Sequence, residues 1–232
     1  MSSAARIILI VSLLVNAALI GGGAFAGFKL YGAVSNFGDM FEKFLERQNE
    51  AYAATTIETA DAVFLGDSIT YEGLWEEYFP ETIVVNRGVM GDTTQDILNR
   101  FDTIPQLNPS KLFLMIGIND LNAGMAGEDV IARYKVLFDR FENELPQADV
   151  FIQSVLPTND EWDGGYEQSQ ILALNTFLKA ETKARGFQYM DLHPKFVNEN
   201  GELRRSLSND GIHLTHKGYA LWVDEIRPYV ER

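Results

Sequence analysis

Four short segments carry side chains that together can do acyl chemistry: Gly66-Asp67-Ser68-Ile69-Thr70, Asn86 through Thr94, Gly117-Ile118-Asn119-Asp120 and Asp210-Gly211-Ile212-His213. Ser68 offers a hydroxyl, a poor nucleophile at neutral pH until a base takes its proton. His213 is the candidate base, one of three histidines in the chain. Asp210, three residues earlier, can reach Nδ1 of that ring across a turn containing Gly211, fixing the tautomer and stabilising an imidazolium. A carbonyl under attack also needs donors for its oxyanion. The backbone N–H groups of Ser68 and Gly91 and the side-chain amide of Asn119 are the candidates, each such donor being worth about 3 kcal/mol of barrier. Singly, every segment has an ordinary explanation: Ser68 as a helix cap, Gly88 and Gly91 as turn residues, Asn119 and Asp120 as loop caps, Asp210 and His213 as a surface turn. Their joint occurrence, with complementary roles, points to chemistry.

These residues are far apart in sequence, so a framework must gather them. Short β-rich runs occur at Ala62–Gly66, Thr82–Asn86, Lys111–Gly117, Asp149–Leu156 and Phe187–Leu192. Such runs suit parallel strands covered on both faces. Helix-period stretches separate them at 93–103, 127–145, 166–185 and 215–231, the third stopped by Gly186 and the last opened by Thr215. Strand–helix alternation predicts an α/β domain with a parallel sheet and right-handed crossovers. Loops after the strand C-termini then share one edge, where ligands bind. Three of the four chemical segments follow a predicted strand.

The four blocks, in this order, resemble the SGNH (GDSL-like) hydrolase family, including esterases similar to the platelet-activating-factor acetylhydrolase catalytic subunits and to lysophospholipases. The resemblance spans about residues 61–231. It implies a flavodoxin-like three-layer sandwich with a five-stranded parallel sheet, no metal or cofactor, and ester hydrolysis through an acyl-serine. It assigns Ser68 as nucleophile, Asp210 and His213 as acid and base, and Ser68, Gly91 and Asn119 as oxyanion donors. Sugar O-acetyl groups, lysophospholipids, short acyl esters and thioesters all present a similar carbonyl to such a site.

Residues 7–28 pass without a charge. As a helix they would reach about 33 Å, enough for a hydrocarbon core of about 30 Å. This predicts either a retained signal anchor spanning the lipid bilayer or a signal peptide cleaved near Ala24-Phe25-Ala26; the length of the apolar run favours the anchor. Arg6 on the short flank leaves the bulk of the chain extracytoplasmic. The chain thus divides into 1–30 as membrane segment, 31–60 as an amphipathic helical linker, and 61–232 as the hydrolase domain. Phe37, Phe41, Phe44, Leu45 and Tyr52 recur in the linker at helical spacing. That face packs on the following domain, or residues 7–60 meet a membrane-protein partner, in which case the hydrolase fold serves as an accessory subunit's scaffold.

The formal net charge is −14, which argues against nucleic acid as a partner. The chain has no cysteine, which excludes disulfides, a thiol nucleophile and thiolate metal sites. His193 and His216, even with His213, make a weak case for a metal. Asp67, Arg87 and Asp92 are read as loop-holding residues, and Tyr71, Trp75 and the loop 157–166 as a border to the substrate.

Overall fold

A computed structural model describes residues 29–31, 35–36, 38–159 and 168–232. The apolar run at 7–28 and most of the loop 157–166 lie outside the described residues. Among the described residues no helix is long and apolar enough to cross a membrane. Residues 38–53 are helical. The compact unit that holds the chemical segments runs from Asn49 to Arg232, so residues 49–60 cluster with it.

Its centre is a five-stranded sheet in the order β2-β1-β3-β4-β5, every pair parallel. The strands are β1 (Ala62–Gly66), β2 (Val84–Gly88), β3 (Lys111–Met115), β4 (Asp149–Gln153) and β5 (Gln188–Met190). The helices are α1 (Ser68–Tyr71), α2 (Trp75–Tyr78), α3 (Thr94–Arg100), α4 (Ile118–Asn122), α5 (Gly127–Glu144), α6 (Gln168–Ala184), α7 (His193–Phe196) and α8 (His216–Val230). The chain steps from β1 outward to β2, then returns across β1 to β3 and continues to β5. With right-handed crossovers, this reversal puts α1 and α2 on one face and α3, α5 and α6 on the other. It also makes the gap between β1 and β3 the switch point, where ligands bind beyond the strand C-termini.

The core explains the strand sequences. Phe64, Phe113 and Phe151 are register partners on β1, β3 and β4, so the pleat sends all three to one face. Their rings stack at 4.9 and 4.5 Å. Trp75 stacks on Phe64 at 4.1 Å, and Trp222 of α8 meets Trp75 edge-on at 4.8 Å. Val63, Leu65, Leu112, Leu114, Val150 and Ile152 alternate onto the opposite face. The helices α3, α5 and α6 pack against one another, and α5 buries Val130, Tyr134, Leu137, Phe138 and Phe141 at helical spacing.

Two expectations need correction. The second strand is Val84–Gly88, two residues later than the apolar run at Thr82–Asn86. Thr82 closes a turn onto Phe79, while polar Asn86 and Arg87 stay in the strand because their side chains find partners there. Trp75 does not border a substrate. It is fully buried, and its indole N–H donates to the Thr70 carbonyl at 2.8 Å.

Candidate active site

The turn that carries Ser68 begins where β1 ends. Asp67 caps α1: its Oδ1 accepts from the Ile69 N–H at 3.0 Å. Ser68 is therefore the first helical residue rather than the cap, and its hydroxyl is free for another partner. A four-residue helix cannot stand on its own hydrogen bonds, and its last carbonyls have no helical partner. Here side chains from elsewhere supply them. Tyr219 Oη donates to Ile69 O at 2.7 Å. Trp75 holds Thr70 O, and the single amide of Asn86 donates to the carbonyls of Thr70, Tyr71 and Gly73 at 3.2, 3.0 and 3.2 Å. Asn86 Oδ1 also accepts from the Gly88 N–H at 2.9 Å. The sequence places Asn86 in the second chemical segment without this task; a polar residue closing an apolar strand run is the signal.

Ser68 Oγ lies 2.9 Å from His213 Nε2, and His213 Nδ1 lies 2.6 Å from Asp210 Oδ2. A carboxylate can only accept, so Nδ1 carries the proton and Nε2 is left to accept from the serine hydroxyl. The Asp210–His213 segment is a turn held mostly by its own residues, with one tie from outside, the Asn159 N–H donating to Gly211 O at 2.9 Å. Asp210 Oδ1 accepts from the backbone N–H groups of Ile212 and His213 at 2.9 and 2.8 Å. Gly211 has φ +90°, a conformation that favours glycine, and its N–H donates to Ser208 Oγ at 2.9 Å. Partial burial pushes the Asp210 carboxyl up, but the His213 ring and the two N–H bonds outweigh it and hold it below its ordinary range.

The third component is the loop after β2. Gly91 has φ +79°, and nothing lies within 4 Å of where a Cβ would project. Asn119, the second residue of α4, donates through Nδ2 to the Asp92 carbonyl at 2.8 Å. Asp92 is itself paired with Arg100 Nε at 2.7 Å. Arg100 Nη2 reaches the carbonyls of Gly66 and Arg87 at 3.2 and 2.8 Å, joining the ends of β1 and β2. Buried Asp120 accepts from the Thr94 N–H at 2.9 Å and hydroxyl at 2.5 Å, tying α4 to the start of α3. Asp67 and Asp92 thus hold loops, as their sequence positions predict, whereas the Arg87 side chain bonds the neighbouring Asn86 carbonyl within β2 and lies over the Tyr52 ring.

The buried carboxylates carry a charge cost. Burial pushes Asp67 up to about 7, against the Ile69 N–H and the positive influence of His213. Burial also pushes Asp92 up to about 6, against Arg100. Of the other histidines, His193 is buried with its pKa lowered by that burial, and His216 opens α8. Tyr71, the last residue of α1, is partly exposed.

Comparison with known proteins agrees with this geometry. The family model described as the GDSL-like lipase/acylhydrolase family matches residues 64–221. Among curated proteins, the platelet-activating factor acetylhydrolase IB subunit alpha1 of Pongo abelii is 27% identical over 167 residues, 69% of this chain and 71% of that protein. Among solved structures, a GDSL-like lipase from Bacteroides thetaiotaomicron superposes with a TM-score of 0.67 at 23% identity, covering 82% of this chain and 96% of that one. An acetyl xylan esterase superposes with a TM-score of 0.63 at 19% identity, covering 73% and 98%. With four chemical segments in order, a parallel α/β sheet, and a family match over most of the chain, this protein belongs to the GDSL-like lipase/acylhydrolase family, hydrolases that act on esters.

Proposed function

We propose that Ser68 is the nucleophile of a serine esterase for short acyl esters, acetyl esters above all, with His213 as base and Asp210 as its orienting acid. The observation that carries this reading is the unbroken chain Ser68 Oγ–His213 Nε2–Asp210 at 2.9 and 2.6 Å. As Oγ bonds to the carbonyl carbon, its proton passes to Nε2. The N–H groups of Ser68 and Gly91 and the second amide hydrogen of Asn119 receive the oxyanion. His213 returns the proton to the leaving alcohol as the C–O bond breaks. Water then attacks the acyl-serine with the same base, releasing the acid.

An apolar hollow beside the turn, lined by Ile69, Met115, Ile118, Val155 and Ile212 among others, supports an acyl group with a small apolar end. The two relatives whose names mention acetyl groups are consistent with that choice. The charge-free run at 7–28 supports a membrane-tethered enzyme with its catalytic domain outside the cytoplasm. Purified full-length protein assayed on p-nitrophenyl esters from acetyl to octanoyl, beside Ser68→Ala, tests the reading. Turnover falling steeply beyond butyrate and absent in the variant is expected. Undiminished turnover in Ser68→Ala removes that residue from the role.

A further inference from the structure

Tyr52 precedes the stretch matched by the family, 64–221, in helical residues that cluster with the hydrolase domain. Its hydroxyl donates to the Gly88 carbonyl at 2.9 Å. The Arg87 guanidinium lies over its ring, 4.4 Å from the centroid. Arg87 is buried, and its Nη1 donates to the Asn86 carbonyl at 3.1 Å. One side chain from ahead of the family core therefore grips two consecutive residues at the end of β2.

Those two residues are the root of the loop that carries Gly91. The Arg87 carbonyl accepts from Arg100, Arg100 pairs with Asp92, and the Asp92 carbonyl holds the Asn119 amide. On the other side, Gly88 N–H is bound by Asn86, whose amide clasps the end of α1. Gly88 packs directly against the backbone of α1: a Cβ on it would sit 2.2 Å from Tyr71 N. Any shift at Gly88 is passed to the serine helix and to the oxyanion loop together. Among the described residues β2 is an edge strand.

We propose that Tyr52 is a positioning residue for the oxyanion loop, which makes the segment before the hydrolase domain a working part of the active site rather than a spacer. This rests on the proposed esterase reading. A purely structural role, covering an edge strand, would change stability alone. Full-length protein in mild detergent, carrying Tyr52→Phe, separates the two. The substitution keeps the ring under Arg87 and removes only the hydroxyl. At a temperature well below unfolding, kcat for p-nitrophenyl acetate is expected to fall about tenfold with KM within about twofold. Inhibition by a trifluoromethyl ketone, which forms an oxyanion on the serine, should weaken by the same factor. Wild-type kcat and wild-type inhibition in Tyr52→Phe overturn the proposal, whatever happens to Tm. Ser68→Ala in parallel keeps the failures distinct. An active Ser68→Ala defeats the esterase assignment, while a dead Ser68→Ala beside a normal Tyr52→Phe defeats only the role of Tyr52.

Discussion

The two sides of the site are held in opposite ways. Asp67 and Ser68 are 1% and 8% exposed, and their turn is fixed by side chains arriving from Trp75, Asn86 and Tyr219. The side chains of Asp210 and His213 are 53% and 35% exposed, and their turn closes on itself between Ser208 and His213. Ser68 is positioned by side chains from distant parts of the chain; Asp210 and His213 are positioned mostly by their own loop. Substitutions that remove the clasping side chains of the first side should therefore cost stability and rate together. Those on the second should cost rate alone.

The largest effect belongs to the local side. Asp210→Asn keeps the turn's shape but no longer fixes the productive tautomer, so kcat should fall about 10⁴-fold, while Tm moves by no more than about 2 °C. A large drop in Tm would erase the contrast. Asn119→Ala, which removes a donor and a tie to Asp92, should lower kcat by about 10²–10³-fold with KM little changed, read from steady-state kinetics. On the buried side, Asn86→Ala leaves the carbonyls of Thr70, Tyr71 and Gly73 short of a donor. Urea unfolding should show a loss of about 2–3 kcal/mol, with kcat reduced in the same protein. A fully stable Asn86→Ala would show that the α1 turn does not need its clasp.

The smallest effect is a pH dependence. Asp67 and Asp92 have pKa values raised to about 7 and about 6 by burial. The folded state holds their protons more tightly than the unfolded chain, so their contribution to stability is full below about 4 and falls as pH rises through the folded values. Asp210 has the opposite sign: its depressed pKa lends stability that is lost only as pH falls through that lower value. Asp67→Asn keeps an oxygen to accept from Ile69 and removes the buried charge, though its NH₂ brings a new need for an acceptor. A net gain of about 1–2 kcal/mol at pH 8, vanishing by pH 4, is expected from thermal unfolding at the two pH values. A gain that persists at pH 4 would place its origin outside the ionisation.

The same contrast explains what was legible in the chain. β1 is read residue for residue, because a run buried on both faces has no polar interruption. Helices α5 and α8 follow from their apolar stripes. The pairing of Asp210 with His213 is visible because both partners lie within four residues. β2 runs past its predicted end at Asn86 because Arg87 and Gly88 look like loop residues until their contacts with Tyr52 are known. The one-turn helices α1, α2, α4 and α7 have too few residues for a period to show, and their hydrogen bonds come from far along the chain. Trp75 reads as a border to the substrate because nothing local reveals that Phe64 and Trp222 enclose it. Asp210 and His213 are readable from local spacing and the distant Ser68–His213 pair from the four ordered segments, whereas the clasps by Trp75, Asn86 and Tyr219 are not readable.

The central claim is that the alcohol of Ser68, activated by His213, makes the bond to the acyl carbon. Trapping that bond tests it most directly: label full-length protein with a fluorophosphonate, record the intact mass, and map the adduct by peptide sequencing. A single adduct on Ser68, absent from Ser68→Ala and formed at least about 10²-fold more slowly in His213→Ala, is the predicted result. An adduct on another residue, or equal labelling of Ser68→Ala, would contradict it.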